Sequence, residues 1–376
     1  MKEQLVLYSN NNYSELDNYL ERNKIKKIFL VCGNSIKLLN INLYFNLLYT
    51  RKGIEIIRFM DFQPNPQYSS VVNGIRSFNK AGCDLIVAVG GGSAIDVAKC
   101  IKLFAGEDTK ENFFQQKAVS NDIKFLAIPT TAGSGSESTQ YAVVYYEGEK
   151  QSISNHMCIP SAILFDVGVL TSLPLYQKKS AMLDALCHAI ESFWSVNSTK
   201  ESLEYSKKAI RIILENYKLY LANNVNSNKE MLIAANIAGK AINIAQTTAG
   251  HAMSYKMTSL YGISHGHAAA LCLTHLWFYM INHQKNCIDK RGIYYFINVL
   301  EQLSHVFGCR TPMEAAIKFK NIVNSLELEI PKANKNDFEV LVSSVNKVRL
   351  KNNPVYLDKS EIDILYHEIL ERVINI

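Results

Sequence analysis

The amino-acid sequence predicts an α/β domain followed by an all-helical domain, because the periodicity of its apolar residues changes once along the chain. Through residue 173, short apolar runs typical of buried strands alternate with stretches of helical periodicity, which favours a parallel sheet. From residue 174 onward only helical periodicity remains. We therefore predict domains of residues 1–173 and 174–376, a division that fits a chain of 376 residues.

The composition excludes several classes of protein. The net charge of +6 is spread along the chain and forms no basic cluster for nucleic acid. No run approaches the roughly 18 apolar residues of a membrane span. The cysteines lie mostly in apolar runs without a CxxC pair, which is typical of reduced thiols. We therefore expect a cytoplasmic protein that binds neither nucleic acid nor membrane.

Five apolar runs predict the strands of the first domain, and each is short enough to be a strand buried on both faces. A stretch of helical periodicity over residues 68–81 separates the second strand from the third. The predicted strands cover residues 26–33, 53–59, 83–90, 124–129 and 162–166.

Glycines follow the third predicted strand directly. The run Gly90–Ser93 stands between this strand and a helix, so backbone N–H groups at the helix N-terminus can bind a pyrophosphate. The run is neither GxGxxG nor a P-loop, and a tight turn without a ligand is the alternative. A second loop, residues 130–136, is rich in hydroxyls and glycine and follows the fourth strand. Because parallel strands end at one edge of a sheet, both loops can line one crevice.

Two segments of the helical domain combine imidazole and carboxylate side chains. Asp184 and His188 lie four residues apart, so they share one helical face. His251 precedes a break at Gly262, and His265 opens the following apolar helix. These four side chains form an oxygen and nitrogen set suited to a divalent transition metal, although satisfied core histidines are the alternative. A nucleotide loop on one domain and a metal on the other indicate redox chemistry with Lewis-acid assistance.

The segments GGGSAIDVAK, PTTAGSGSE, DALCHAIE, GHAMS and SHGHAAA resemble the iron-containing (group III) alcohol dehydrogenases, in this order and over nearly the whole chain. The resemblance implies a dehydroquinate synthase-like fold, with an N-terminal dinucleotide-binding α/β domain and a C-terminal all-α metal-binding domain. It also implies NAD(P)-dependent reduction of an aldehyde, and we expect a homodimer. The implied ligands of Fe(II) or Zn(II) are Asp184, His188, His251 and His265. The implied cofactor positions are Gly90, Gly91, Gly92, Ser93, Asp96, Thr130, Thr131, Ser134, Ser136 and Lys150.

Two departures from the family pattern affect the predicted site. The family usually has a second histidine four residues after the third ligand, where this chain has Tyr255. A phenol can still relay a proton, so we predict Tyr255 and His265 as catalytic residues. The second departure follows the first predicted strand, where NAD-preferring members carry an aspartate. Here Gly33 and Asn34 stand without a carboxylate, which permits NADP(H) as well as NAD(H).

Within the family, the segments HAMSYKMTSLYG, ESFWSVNST and QYAVVYYEGEKQS are most similar to phosphonoacetaldehyde reductases. This implies reduction of phosphonoacetaldehyde, an anionic aldehyde, to 2-hydroxyethylphosphonate. We predict Tyr141 and Lys256 as substrate-binding residues, although a solvated lysine is the alternative for Lys256. Three other functions stay open: a generic short-chain alcohol or diol dehydrogenase, a dehydroquinate synthase-like lyase, and a nucleotide-binding protein without turnover.

Overall fold

The computed structural model describes residues 4–9, 12–106, 112–115 and 118–371. The chain forms two compact units, one of Met1–Pro174 with Ala222–Asn236 and the other of Leu175–Leu221 with Ile237–Ile376. The domain boundary at residue 173 stays a prediction. The segment Ala222–Asn236, which the sequence pattern groups with the helical half, belongs to the first unit.

Six strands of the first unit form one parallel sheet in the order β1-β8-β5-β4-β2-β3. A separate antiparallel pair consists of β6 and β7. The strands are Leu5–Ser9 (β1), Lys27–Cys32 (β2), Glu55–Phe59 (β3), Leu85–Gly90 (β4), Lys124–Pro129 (β5), Tyr141–Tyr146 (β6), Glu149–Ser154 (β7) and Ala162–Asp166 (β8).

The α-helices in the described part of the same stretch are Ser14–Arg22 (α1), Asn40–Lys52 (α2), Tyr68–Ala81 (α3) and Gly92–Leu103 (α4). Every residue of β4 is buried, as expected of a central strand covered on both faces. Ile86 and Ala88 of this strand share an apolar core with Ile95 and Ile101 of α4. Since α4 starts two residues after β4 ends, this packing fixes the N-terminus of α4 at the carboxyl edge of the sheet.

The second unit is helical throughout the part that the structure describes. Helix α9 packs against both α5 and α8, and its apolar face makes it the centre of this unit. The helices are Leu175–Trp194 (α5), Lys200–Leu221 (α6), Val225–Ala245 (α7), Ala249–Tyr261 (α8), His265–Asn282 (α9), Ile293–Val306 (α10), Pro312–Ser325 (α11), Lys335–Ser343 (α12), Lys347–Leu350 (α13) and Lys359–Leu370 (α14). None of the described helices is long and apolar enough to cross a membrane.

The predicted fold class is confirmed: a parallel α/β domain precedes an all-helical one. The five predicted strands appear as β2, β3, β4, β5 and β8, and the predicted break between two helices falls at Gly262, which has a φ of 68°. Strand β1 and the β6–β7 pair were not predicted. Strand β1 lies at the edge of the sheet with the burial of an edge strand, so it lacks the continuous apolar run that marks the central strands.

Candidate metal centre and cofactor loops

Three of the four predicted metal ligands meet in the second unit. Asp184 and His188 lie on α5 and His251 lies on α8, and one ligand atom from each lies within 4.8 Å of the others. Asp184 Oδ1 is 3.9 Å from His188 Nε2 and 3.5 Å from His251 Nε2. Atoms that share a metal at about 2.1 Å lie roughly 3–3.5 Å apart, so these distances are close to those of a ligand set.

Two buried atoms at this point favour a bound cation. Asp184 Oδ1 and His251 Nε2 have no hydrogen-bond partner among the described residues. Leaving a buried polar atom without a hydrogen-bond partner costs about 1–3 kcal/mol, so two such atoms at one point are costly. A divalent ion between them removes both penalties, and a carboxylate with imidazoles suits Fe(II) or Zn(II). The residues present therefore fit a metal.

The charges around the three side chains also favour a cation. Burial lowers the pKa of His251, but Glu191 and Asp184 outweigh burial and raise this pKa to about 10. Burial raises the pKa of Asp184, but His188, His251 and His265 hold it well below its ordinary value. The negative potential at His251 therefore stabilises positive charge.

The fourth predicted ligand, His265, lies beside this group. Its ring centroid is 5.2 Å from that of His251, and its side chain is half-buried at the start of α9. The ring of Tyr255 stacks on His265 with centroids 5.4 Å apart and an interplanar angle of 17°. Both predicted catalytic residues thus lie near the predicted ligands, and their roles stay predictions.

Gly266 explains how His265 reaches this position. A Cβ built on Gly266 would lie 2.1 Å from the Ser180 carbonyl oxygen and 2.6 Å from Asp184 Cβ. Any side chain larger than hydrogen would therefore push the start of α9 away from α5. This close approach of two backbones places His265 next to Asp184.

The two predicted substrate residues lie in different units. Lys256 is half-buried on α8, and because successive helical residues point about 100° apart, it does not share the direction of Tyr255. Tyr141 begins β6 in the first unit, where its carbonyl oxygen accepts a hydrogen bond of 2.6 Å from Lys99 Nζ. Contact of either residue with a substrate stays a prediction.

The two predicted nucleotide loops lie side by side in the first unit. A Cβ built on Gly91 would lie 3.3 Å from Thr131 Oγ1, and one on Gly92 would lie 3.3 Å from Ser134 Oγ. The Thr130 amide donates to the Gly90 carbonyl at 3.0 Å. The N-terminus of α4, with Ser93 in its first turn, opens at the same point. The loops therefore lie together at the N-terminus of α4, where backbone amides can bind phosphate.

Asp96 joins the loops to the rest of this unit. Its Oδ1 accepts a hydrogen bond of 2.6 Å from Ser136 Oγ, and its Oδ2 accepts one of 3.0 Å from the Val143 amide. Lys99 Nζ lies 3.8 Å from Asp96, and Lys150 is near enough to affect its pKa, which burial raises. Asp96 and Ser136 thus contact each other, and direct contact of Asp96, Ser136 or Lys150 with a cofactor stays a prediction.

Gly33 and Asn34 lie at the carboxyl end of β2, as predicted. Gly33 has an extended backbone, and a Cβ built on it meets no atom within 4 Å. Asn34 is exposed. There is consequently open space at the position where an aspartate would face a ribose.

Arg58 of β3 was not predicted as a site residue, and its side chain extends toward this end of β2. The guanidinium lies 4.0 Å from Cys32 Sγ and donates to Asn42 Oδ1 at 2.9 Å and Asn46 Oδ1 at 2.7 Å. These three partners are neutral. The sequence feature that could have identified Arg58 is its position as a cation among apolar residues at the end of a predicted strand.

Glu191 was also missed. It lies seven residues after Asp184 and three after His188, so the spacing alone places it on the helical face that carries the ligands. In the structure it is fully buried and accepts hydrogen bonds from His251 and Thr248.

Two family models match the chain. The model of iron-containing alcohol dehydrogenases matches residues 4–167, and the model of the C-terminal region of Fe-containing alcohol dehydrogenases matches residues 179–370. Similarity to solved structures is strong in fold. The sulfoacetaldehyde reductase from Bifidobacterium kashiwanohense, solved with NAD+, superposes with a TM-score of 0.87 over 98% of this chain and 97% of that chain, at 24% identity.

Two named relatives are similar in sequence. Aldehyde-alcohol dehydrogenase 2 of Entamoeba histolytica is 29% identical over 330 residues, which cover 81% of this chain and 38% of that protein. The present chain therefore spans well under half the length of that relative. Phosphonoacetaldehyde reductase of Streptomyces viridochromogenes is 29% identical over 316 residues, which cover 80% of this chain and 79% of that protein.

Proposed function

Because this chain belongs to the iron-containing alcohol dehydrogenase family, as its motifs predicted, we propose that it reduces a small aldehyde to an alcohol with NAD(P)H and a divalent metal. The observation that carries the proposal is the convergence of Asp184 Oδ1 and His251 Nε2 next to His188, since both are buried atoms without a hydrogen-bond partner in the described part of the chain. When bound, the metal supplies a Lewis acid for a carbonyl oxygen and the nicotinamide supplies hydride.

Each side chain near the centre has a proposed task. Asp184, His188, His251 and His265 hold the ion, with Fe(II) the proposed metal and Zn(II) the alternative for the same donors. Reduction of a carbonyl consumes a proton as well as a hydride. We assign that proton to the Tyr255 hydroxyl, because its ring stacks on His265 and therefore lies beside the ligands.

Phosphonoacetaldehyde is the proposed substrate and 2-hydroxyethylphosphonate the proposed product. Support comes from the phosphonoacetaldehyde reductase of Streptomyces viridochromogenes, which aligns with 80% of this chain. A phosphonate carries up to two negative charges, so its site needs a fixed cation. Lys256 is the proposed cation, because it is half-buried in the helical turn that carries Tyr255, and its long side chain can reach beyond its own direction on the helix.

Wild-type protein should prefer phosphonoacetaldehyde to propanal in kcat/KM by a factor of tens, since a charge-assisted contact contributes on the order of 2 kcal/mol. Lys256→Ala should reduce this preference mainly through the rate on phosphonoacetaldehyde. Lys359→Ala, which removes the same charge from an exposed position, is the control and should leave the preference unchanged. Equal efficiency of the wild type on both aldehydes would rule out the phosphonate and leave a generic alcohol dehydrogenase.

NADPH is the proposed reductant, used at least as well as NADH. Among the described residues the partners of Arg58 are neutral, and Gly33 leaves open space, so a 2′-phosphate would meet a cation there. Arg58→Met should weaken NADPH binding by about 10-fold or more without changing NADH binding, because a phosphate loses a charge-assisted bond.

Gly33→Asp should also shift the cofactor preference toward NADH, because the new carboxylate repels the 2′-phosphate of NADPH. The dissociation constants of both cofactors, measured by fluorescence titration of each variant, provide the check, and NADH serves as the internal control. A wild type with a strong preference for NADH would contradict this assignment. A loss of both cofactors in Arg58→Met would show that Arg58 only holds α2 on the sheet.

A further inference from the structure

We propose that Glu191 is a positioning residue for the metal centre: it fixes the proton of His251 on Nδ1 and so keeps Nε2 available to the ion. The inference rests on the proposed metal site. It concerns a residue that contacts a ligand and not the ion itself.

Glu191 is surrounded by donors. It is fully buried on α5, and its Oε2 accepts the N–H of His251 Nδ1. Its Oε1 accepts three further hydrogen bonds, from the Thr248 amide at 3.0 Å, the Thr248 hydroxyl at 2.7 Å and the His251 amide at 3.2 Å. A group that accepts four hydrogen bonds and donates none is a carboxylate.

The contact with Nδ1 decides which nitrogen of His251 can bind a metal. An imidazole must be neutral to bind a metal, and it then carries one proton, so a proton held on Nδ1 leaves a lone pair on Nε2. In this structure Nε2 faces Asp184 Oδ1 at 3.5 Å and has no hydrogen-bond partner among the described residues. Carboxylates that accept from the second nitrogen of a ligand histidine fix both its tautomer and the orientation of its ring.

The position of Glu191 is fixed by residues on the side away from the predicted metal ligands. The Thr248 hydroxyl accepts a hydrogen bond of 3.0 Å from Trp194 Nε1, so its own proton is directed to Glu191. A Cβ built on Gly250 would lie 3.1 Å from Glu191 Oε1 and 2.8 Å from Leu273 Cδ1, so this glycine makes room for the carboxylate. The hydrogen bonds therefore run in one direction, from Trp194 through Thr248 to Glu191.

Glu191→Gln is the sharpest test, because it preserves shape and removes one acceptor. If the amide nitrogen faces His251, it donates to Nδ1, and the ring proton must move to Nε2. If the amide is reversed, its nitrogen meets the three donors around Oε1. The first orientation therefore removes the lone pair from His251 Nε2, and the second breaks the hydrogen bonds from Thr248 and His251 to Oε1.

The experiment measures metal binding and does not depend on turnover. Wild type, Glu191→Gln and Ser192→Ala are stripped of metal and titrated with Co(II) as a spectroscopic probe and with Fe(II) under anaerobic conditions. Ser192 is the matched control, since it is the next residue, is equally buried and donates away from the site, to the carbonyl of Ala189. We expect Glu191→Gln to weaken metal binding by about 10–100-fold and to reduce the rise in Tm on adding metal, whereas Ser192→Ala binds as the wild type does.

Glu191→Asp keeps the charge but shortens the side chain, and its metal affinity should fall between those of Glu191→Gln and the wild type. This variant carries the test if Glu191→Gln does not fold. Wild-type affinity and an unchanged Co(II) spectrum in either variant would overturn the proposal, even if the metal-free protein were less stable. A wild type that binds metal and reduces aldehydes would then retain its proposed function, whereas a wild type that binds no metal would lose both.

Discussion

His251→Ala should abolish metal retention and lower kcat/KM for an aldehyde by about 10³-fold or more. The physical reason is that the site has few ligands and that Lewis-acid assistance contributes several kcal/mol to the rate. This variant should also destabilise the second unit, because Glu191 loses its partner while it stays fully buried. Loss of one partner of a buried ion pair typically costs about 3–5 kcal/mol.

His265→Ala should show the same loss of metal with a smaller loss of stability, since His265 is only half-buried. Elemental analysis and aldehyde-dependent oxidation of NADPH check both variants, and retained NADPH binding would show that the first unit is folded. His275→Ala is the control, because this histidine lies on the same helix but faces Glu368 at 3.5 Å. Full activity of His251→Ala without stoichiometric metal would end the metal mechanism.

Gly266→Ala should be severely destabilising although it adds only one methyl group. The new Cβ would lie 2.1 Å from the Ser180 carbonyl oxygen and 2.8 Å from the Asp184 amide nitrogen, and neither backbone atom can move aside as a side chain can. Overpacking usually costs about 1–3 kcal/mol, and we expect the upper end or more here. Because α9 and α5 both carry predicted ligands, their separation should also weaken metal binding.

The free energy of unfolding and the metal content of purified Gly266→Ala provide the measurement. Gly33→Ala is a suitable control, since its Cβ meets no atom within 4 Å and its backbone is already extended. Wild-type stability together with full metal content in Gly266→Ala would mean that α9 and α5 do not approach as closely as described.

The central strands and the proximity of Asp184 to His188 were predictable because their signals are local. A buried strand such as β4 is a continuous apolar run, and Asp184 and His188 share a face because of their spacing. Features that depend on contacts between residues far apart in the sequence were harder to predict. Helix α7 has one uninterrupted helical pattern, yet its first part belongs to the first unit, where Asn236 donates to Ser138 and Lys229 lies over the ring of Tyr8.

The surroundings of the site show the same limit. The spacing puts Glu191 on the face of α5 that carries the predicted ligands. Its contact with His251 depends on how α8 packs against α5, which the sequence pattern does not specify. Arg58 likewise reaches Cys32 only because β3 pairs with β2 in a register that sets Leu30 opposite Arg58. Pairwise partners across elements therefore had to come from the structure.

Metal-dependent reduction of phosphonoacetaldehyde by NADPH is the most direct test of the central claim. The rate of NADPH oxidation is followed with phosphonoacetaldehyde and with propanal, first with Fe(II)-loaded protein, then after chelation and after Fe(II) is restored. We expect oxidation that requires an aldehyde, is faster with phosphonoacetaldehyde, disappears on chelation and returns with Fe(II). Absence of metal-dependent oxidation of NADPH or NADH with either aldehyde would contradict the account.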